Sequence, residues 1–449
     1  MPSARTRRRH RRPRLLLIAA FYPPSRASGV FRPLAMGNYF ADQGWDVTVI
    51  TVQEEFFDRV TASRDDSLLG AIHPDIEVVR VPMPIQHLER DLRHFGPLRA
   101  NFPRLHSKIY RRLQVFDRYS PWLPGVVAEG LRRHRRDRFD LVLATGNPWT
   151  SFAAAAALHR ATRVPCVLDY RDSWTLNQFS RQPAFPPGHA AYTWEPRLLR
   201  RAAGIVFVNR GMLDWHAARY PHLADRMLVL ENGFDADLLA VDTYRSPAAD
   251  EPLRFGYLGT LTDQYDNRVF WNGWKLAQQD PLLQGATANI YGHVGFFGTV
   301  AATQARGLPD GSVSHAMYHG PVAKTDVART YRDLDVLLFL VPDSPFVTSG
   351  KTYEYMATGK PIVAVHTPES AAGEPLRDYP LRATVAAMTP EAVRDALVEG
   401  ARLARSATPA DHRAALEHAR RYDRRALLAP FEQHLRGLAR RTATREETR

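Results

Sequence analysis

Short runs of four to seven apolar residues recur along this chain, each followed by a stretch of helical spacing, and this alternation constrains the fold more than any other feature. Runs of that length with no polar alternation are strands buried on both faces, and parallel sheets covered by helices bury strands in that way. The first unit is a strand over Leu15–Phe21, a loop through Gly29, a helix over Phe31–Ala41 and a strand over Val47–Thr51. Phe31, Leu34, Ala35 and Phe40 give that helix one apolar stripe, and Gly44 stops it. Further strands are expected at Leu141–Thr145, Val164–Tyr170, Ile205–Asn209 and Met227–Leu230, with helical stretches at 151–161, 193–203 and 211–219. Residues 236–253 hold two prolines and no clear period, which marks a linker. Alternation then resumes at Arg254–Leu258, Ala288–Tyr291, Met317–His319, Val336–Val341 and Ile362–Val365, and the Arg/Ala-rich stretch 390–441 reads as helix. Two α/β domains in tandem followed by terminal helices is the fold class this predicts.

The 449 residues, 45% hydrophobic and 24% charged, suit a globular chain of two or three domains and exclude a disordered, collagen-like or disulfide-scaffold protein. One cysteine, Cys166, excludes an internal disulfide framework and a cysteine-based zinc site, and its apolar flanks read as a buried strand with a structural thiol. The histidines are scattered, so no metal is expected; His315 and His319 flank a predicted strand, where four residues span ~13 Å. The apolar runs Leu15–Tyr22 and Phe152–Leu158 fall short of the ~18–20 residues that span a bilayer. The basic start followed by Leu15–Phe21 imitates a leader peptide, but a first core strand ending in Pro23-Pro24 accounts for it better.

The net charge of +13 is unevenly placed. Residues 1–14 hold seven Arg and no acid, residues 413–449 ten Arg and five acids, and residues 99–138 eleven Arg/Lys against three acids. Phe102, Tyr110, Phe116, Tyr119 and Trp122 interleave with the cations of 99–138 as they would in an interfacial helix, so an anionic membrane surface is an expected partner. A solvated basic face is the plain alternative. No nucleic-acid reading motif is recognisable, and nucleic acid is not expected as a partner.

Two strand-to-helix loops carry the chemistry. The buried strand Val336–Val341 runs through a polar loop into the short helix Lys351–Thr358, stopped by Gly359 and Pro361. Ligands of such sheets bind beyond the carboxyl ends of strands, and a helix start there offers unpaired N–H groups to a diphosphate. Lys351 opposes the helix dipole, which a bound anion would explain. Glu354, one turn on, suits the two hydroxyls of a ribose; the pair also reads as an exposed intrahelical ion pair worth ~0.3–0.5 kcal/mol. The loop Phe21–Arg32, with Gly29, is the second place where a phosphate or sugar can approach backbone closely.

Taken together these segments resemble glycosyltransferase family 4, whose GT-B architecture sets two Rossmann-like domains across a cleft. The carrying residues are Tyr22-Pro23-Pro24 with Gly29, Arg32 and Gly44–Thr51; Phe139–Val142 with Thr145–Pro148; Leu168–Trp174, similar to a "D-x-R-D-x-W" stretch; Asn232-Gly233-Phe234-Asp235; Gly256–Gly259; and Gly350–Pro361, the most specific match. The resemblance implies a basic arm at 1–14, an acceptor-side domain over 15–235, the linker 236–253, a nucleotide-sugar donor domain over 254–389, helices over 390–441 and a tail at 442–449. It implies a hexosyltransferase-like enzyme moving a sugar from a nucleotide-diphosphate donor, with retention, to a glycan or lipid-linked acceptor at the cytoplasmic face of a membrane. No cofactor is implied, because the nucleotide sugar is a substrate. Glu354 would bind the ribose, Gly350, Lys351 and Arg268 the diphosphate opposite Gly29, and Arg171 and Asp172 would lie near the transferred sugar. Asp172 is read as an orienting group rather than a base, and Trp174 as core. Many members place a second Glu eight residues before the ribose carboxylate; here that position is Phe346. A nucleotide-sugar epimerase of the same architecture and a non-catalytic surface-binding protein are the rival readings.

Overall fold

The computed structural model describes residues 11–85, 87–89, 92–236, 244–261, 267–294, 308–309, 312–322, 326–341 and 343–447. Residues 1–10 of the basic arm at 1–14, part of the linker (237–243) and the tail end (448–449) lie outside them.

The N-terminal domain holds a sheet of seven parallel strands, among the described residues, built from β1 (Arg14–Ile18), β2 (Asp46–Val52), β3 (Glu77–Val81), β4 (Leu141–Gly146), β5 (Cys166–Tyr170), β8 (Gly204–Phe207) and β9 (Met227–Val229). A two-residue antiparallel pair, β6 (Leu176–Asn177) and β7 (Gln182–Pro183), stands apart. The strand order is β3-β2-β1-β4-β5-β8-β9. The second sheet, β10 (Arg254–Leu258), β11 (Thr287–Tyr291), β12 (Ala316–Gly320), β13 (Val336–Leu340), β14 (Ile362–Val365) and β15 (Arg382–Thr384), has the order β12-β11-β10-β13-β14-β15 and is also parallel. In each sheet the order reverses beside its first strand, at β1/β4 and at β10/β13, and crevices for ligands open beyond the carboxyl ends at such points. The expected two-domain GT-B fold is therefore present.

The strands are buried because both faces are covered: every residue of β4, β5, β8, β13 and β14 is buried. Cys166 is among them, and burial pushes its thiol up to about 12, which leaves it inert as a nucleophile. The helix Phe31–Asp42 buries Leu34, Met36, Phe40 and Ala41, and the chain leaves it through Gly44 at φ +79°.

The C-terminal stretch divides into helices Pro390–Ser406, Pro409–Arg420 and Arg424–Glu447. The first packs on helix Arg268–Ala277 of its own domain, where a Cβ on Gly273 would lie 2.5 Å from Val393. The last returns to the N-terminal domain: Leu428, Phe431, Leu435 and Ala439 share a core with Leu15, Leu17, Phe40 and Trp45. Trp45 Nε1 donates to Glu432 at 2.6 Å, and the Phe40 and Phe431 rings meet edge-on at 6.3 Å.

Residues 99–138 correct the expectation of one continuous aromatic-basic face. Tyr119 and Trp122 are core, Phe116 packs on Trp174 and Trp194, and Tyr110 stacks on His87, so of the five aromatics only Phe102 is exposed. The segment that follows, Leu123–Arg136, is an amphipathic helix that buries Val126 and Gly130. No helix among the described residues is long and apolar enough to cross a membrane.

Candidate active site

Three loops converge beyond the carboxyl ends of β1, β4 and β5. The β4 loop turns through Gly146-Asn147-Pro148, and Arg171, the first residue after β5, is pinned to it: its backbone N–H and its Nε both donate to the Gly146 carbonyl, at 3.1 and 3.2 Å, and Nη2 donates to the Asn147 carbonyl. This holds the guanidinium against Gly29, where a Cβ would sit 2.0 Å from Nη1. The missing side chain at Gly29 leaves the room that the guanidinium occupies, and the structure brings together two residues read separately in the sequence. Burial lowers the Arg171 pKa, with Asp172 and Asp169 opposing; a guanidinium stays protonated regardless. Asp172 is half-buried and accepts from Gln178 Nε2 at 3.2 Å. Trp174, read as core, is buried and stacked on Trp149 at 5.6 Å.

Two buried carboxylates hold this loop from behind. Asp169 takes the Arg32 guanidinium through Nε at 3.0 Å and Nη2 at 2.7 Å, and Arg32 Nη1 reaches the Glu231 carbonyl at 3.2 Å, which ties the first helix to β5 and to the domain junction. Glu195, fully buried, accepts from Tyr170 at 3.2 Å, Thr175 at 2.6 Å and Tyr220 at 2.8 Å, so it grips both ends of Arg171–Trp174.

On the other side, β13 leads through 341–349 into helix Gly350–Met356. Ser349 caps it, its hydroxyl accepting from the Lys351 N–H at 3.2 Å. Lys351 Nζ lies 2.6 Å from Glu354 Oε2, and Tyr331 donates to the same oxygen at 3.1 Å. Both groups are about one-third exposed, so the intrahelical ion pair foreseen as the plain alternative does form. Burial pushes the Glu354 carboxyl up, but Lys351 and Tyr331 together outweigh it and hold it below its ordinary value. Tyr355 fastens the helix to β10, its hydroxyl accepting from the Leu258 N–H at 2.8 Å. A Cβ on Gly350 would meet nothing within 4 Å, so protein packing does not demand that glycine. Arg268 is exposed at the start of its helix, beside residues 262–266, which lie outside the described set.

The loop 343–349 is the seam between the domains. Asn209 Nδ2 donates to the Phe346 carbonyl at 2.8 Å, Ser344 donates to the Gln178 carbonyl, and Asn232 meets Thr348 at 3.5 Å. Phe346, where a glutamate is usual, thus meets the other domain through its backbone. Arg424 Nε donates to the Asn232 carbonyl at 3.2 Å, and its charge is felt by Glu354. Arg32, Asn209, Tyr331 and Arg424 were not read as site residues. Only Arg32 carried a signal, a charge beside the apolar stripe of a buried helix.

No group of three His, Cys, Asp or Glu among the described residues is placed to hold a metal ion. Residues 32–233 match the family model described as a glycosyl transferase 4-like domain. No curated protein matches the chain in sequence. Among solved structures, sucrose-phosphate synthase from Thermosynechococcus elongatus superposes with TM-score 0.61 at 15% identity, covering 95% of this chain and 99% of that one. HepE from Anabaena, solved with UDP, gives 0.60 at 14%, covering 95% and 100%. The lipopolysaccharide outer core galactosyltransferase WaaB gives 0.56 at 13%, covering 95% and 99%. At such identities the likeness is one of fold.

Proposed function

We propose that this chain, a glycosyltransferase by its 4-like N-terminal domain and its GT-B architecture, moves a sugar from a nucleotide-diphosphate donor to a glycan or lipid-linked acceptor, with retention at the anomeric carbon. The setting is cell-surface polysaccharide or glycoconjugate synthesis on the cytoplasmic side of a membrane. The observation that carries the reading is the Lys351–Glu354–Tyr331 cluster at the start of a helix beyond β13, with the Gly29–Arg171 pair beyond β1 and β5 in the other domain. UDP bound to the HepE relative supports a nucleotide at the donor side, and the WaaB relative supports a saccharide acceptor.

When a donor binds, Lys351 exchanges Glu354 for the diphosphate, and Glu354, kept ionised by its surroundings, accepts the ribose hydroxyls. The bare Gly350 lets a phosphate approach the helix start. As the bond between anomeric carbon and diphosphate breaks, negative charge grows on the leaving oxygen and positive charge on the sugar. Fixed cations and N–H donors meet the first need, and Lys351, Arg171 and the backbone at Gly29 supply them. The acceptor hydroxyl bonds to the anomeric carbon and passes its proton to the departing diphosphate oxygen; Asp172 orients that hydroxyl. The transferred sugar is read without the usual glutamate, since Phe346 stands at that position and its backbone carbonyl is held by Asn209.

A thermal-shift panel of nucleoside diphosphates and their sugars tests the reading. One nucleotide series should stabilise the protein selectively, and Glu354→Gln should weaken that binding roughly 10- to 100-fold, the worth of one or two hydrogen bonds to a charged group, with the unliganded melting point retained. No response to any nucleotide overturns the reading in favour of a non-catalytic protein, and product formed from donor alone overturns it in favour of an epimerase.

A further inference from the structure

Beyond Trp174 the chain makes the small antiparallel hairpin of β6 and β7, turning back through 178–181. Two residues a side are too few to hold a hairpin in place by themselves. The turn is closed locally: Asn177 Oδ1 accepts from the N–H groups of Phe179 and Ser180 at 3.1 Å, and the Arg181 N–H donates to the Asn177 carbonyl at 2.8 Å. The position of the hairpin comes from what it touches on two sides. Toward the loop after β5, Gln178 Nε2 donates to Asp172 Oδ1 at 3.2 Å, and Gln178 Oε1 accepts from the Ser173 N–H at 3.4 Å. A carboxylate only accepts and an N–H only donates, so the carboxamide fits one way round. Among the described residues no other side chain donates to the Asp172 carboxylate. Toward the C-terminal domain, the Gln178 carbonyl accepts from the hydroxyl of Ser344, which is fully buried, and Arg181 Nη2 lies 3.5 Å from Asp343 Oδ2. Asp343 and Ser344 are fixed in their own domain: the Thr367 hydroxyl donates to Asp343, and the Ala371 N–H donates to the Ser344 carbonyl at 2.9 Å.

We propose that Gln178 is a positioning residue that makes the aim of Asp172 depend on contact between the two domains. Its backbone carbonyl, with Arg181 beside it, is held by Asp343 and Ser344 of the C-terminal domain, while its carboxamide holds the carboxylate. The Arg181–Asp343 pair is half exposed on both sides, a weak latch that parts when the domains part, and the Ser344 bond goes with it. With both lost, the short hairpin has nothing on that side to hold it, and Asp172 loses the fixed position of its donor. The same loop runs on from Ser344 into Gly350 and Lys351. One residue therefore joins the groups proposed to hold the diphosphate to the group proposed to orient the acceptor hydroxyl. The acceptor is aimed only when the donor side is seated. The inference rests on the transferase reading and on the place of Asp172 in it.

Turnover is followed on the full chain as nucleoside diphosphate released from the nucleotide sugar that the thermal-shift panel selects, with water or an added glycan as acceptor. A binding isotherm for the same nucleotide reports on the donor side alone. Gln178→Leu, which keeps the backbone carbonyl and removes the carboxamide, should lower kcat by about 10- to 100-fold, the cost of a reacting group misplaced by ~1 Å, with the nucleotide Kd unchanged. Gln178→Glu separates positioning from a structural defect, because an ionised carboxylate there repels Asp172 and a protonated one can donate to it. Its kcat relative to wild type should climb as pH falls, by about tenfold per pH unit while the protonated form is the minority, and Gln178→Leu should show no such climb. Arg171, which feels the Asp172 charge, stays protonated throughout that range. Arg181→Asp should lower kcat by up to roughly fivefold, and Arg181→Asp/Asp343→Arg should restore it. Four outcomes overturn the proposal: wild-type kcat in Gln178→Leu, a pH-independent ratio for Gln178→Glu, wild-type kcat in Arg181→Asp, or no recovery in the exchanged pair. Absence of nucleotide binding and turnover in the wild type overturns the transferase reading instead.

Discussion

Arg171 reaches its position because Gly29 lacks a side chain, and this makes Gly29→Ala more informative than removal of the arginine itself. The added methyl would meet Nη1 at 2.0 Å and Cζ at 2.8 Å, the far end of a flexible side chain, so the guanidinium moves and the fold stays. Turnover should fall by about 10- to 100-fold, since misplacing a reacting group by ~1 Å has that cost, while stability changes by less than ~1 kcal/mol. Arg171→Ala and Asp172→Ala should likewise lower turnover more than donor binding. Steady-state rates together with a nucleotide-binding isotherm check this; unchanged turnover in Gly29→Ala would separate Arg171 from the reaction. Lys351 and Glu354 were legible because strand, polar loop and helix follow one another within thirty residues. Arg424 was not, because it reaches the same junction from nearly two hundred residues beyond Asn232, and no local pattern encodes such a meeting.

At the scale of elements, Lys360 shows how the donor domain closes behind the helix Gly350–Met356. It is 3% exposed, and its Nζ donates to the Leu334 carbonyl at 2.6 Å and the Arg332 carbonyl at 3.4 Å, at the end of helix Val327–Asp333. Burial lowers its pKa to about 8, Asp335 opposing. The unfolded chain holds the proton up to the ordinary value of ~10.4. Between those limits the unfolded state binds more protons than the folded one, so stability rises with pH. Wild type should therefore gain on Lys360→Met by roughly 3 kcal/mol between pH 8 and pH 10.4, and the gain should be absent below pH 8. Urea unfolding of both proteins across this range checks it; a difference independent of pH would mean that the ammonium is not desolvated. The interior strands around these residues were legible from composition because both faces are covered. β3 and β15 were not: Glu77-Val78-Val79-Arg80-Val81 and Arg382-Ala383-Thr384 are edge strands that mix charge with short apolar content, so neither reads as a buried run nor alternates cleanly.

At the scale of the molecule, a single glycine reports on how the domains meet. Gly211 is the second residue of helix Arg210–Arg219, and its φ lies outside the left-handed range, so alanine there should favour the helix by up to ~1 kcal/mol. Yet a Cβ at that position would lie 2.1 Å from the Pro345 carbonyl oxygen, which is backbone of the opposite domain and cannot swing aside as a side chain would. Gly211→Ala must therefore push the loop 343–349 away from the N-terminal domain. The Asn209 bond to the Phe346 carbonyl lies in the same seam and would lengthen with it. That loop leads directly into Gly350 and Lys351, so widening the seam also moves the donor groups away from Arg171. Small-angle X-ray scattering should show a larger radius of gyration for Gly211→Ala, and turnover should fall by about 10- to 100-fold through misplacement alone. Circular dichroism should show the helix content retained. The return of helix Arg424–Glu447 to the N-terminal core limits how far the domains can part, so the change should be a hinge opening rather than a separation. If scattering and turnover both match wild type, the seam at Pro345 does not set the closure of the cleft, and the junction held by Arg32, Asn232 and Arg424 must set it instead.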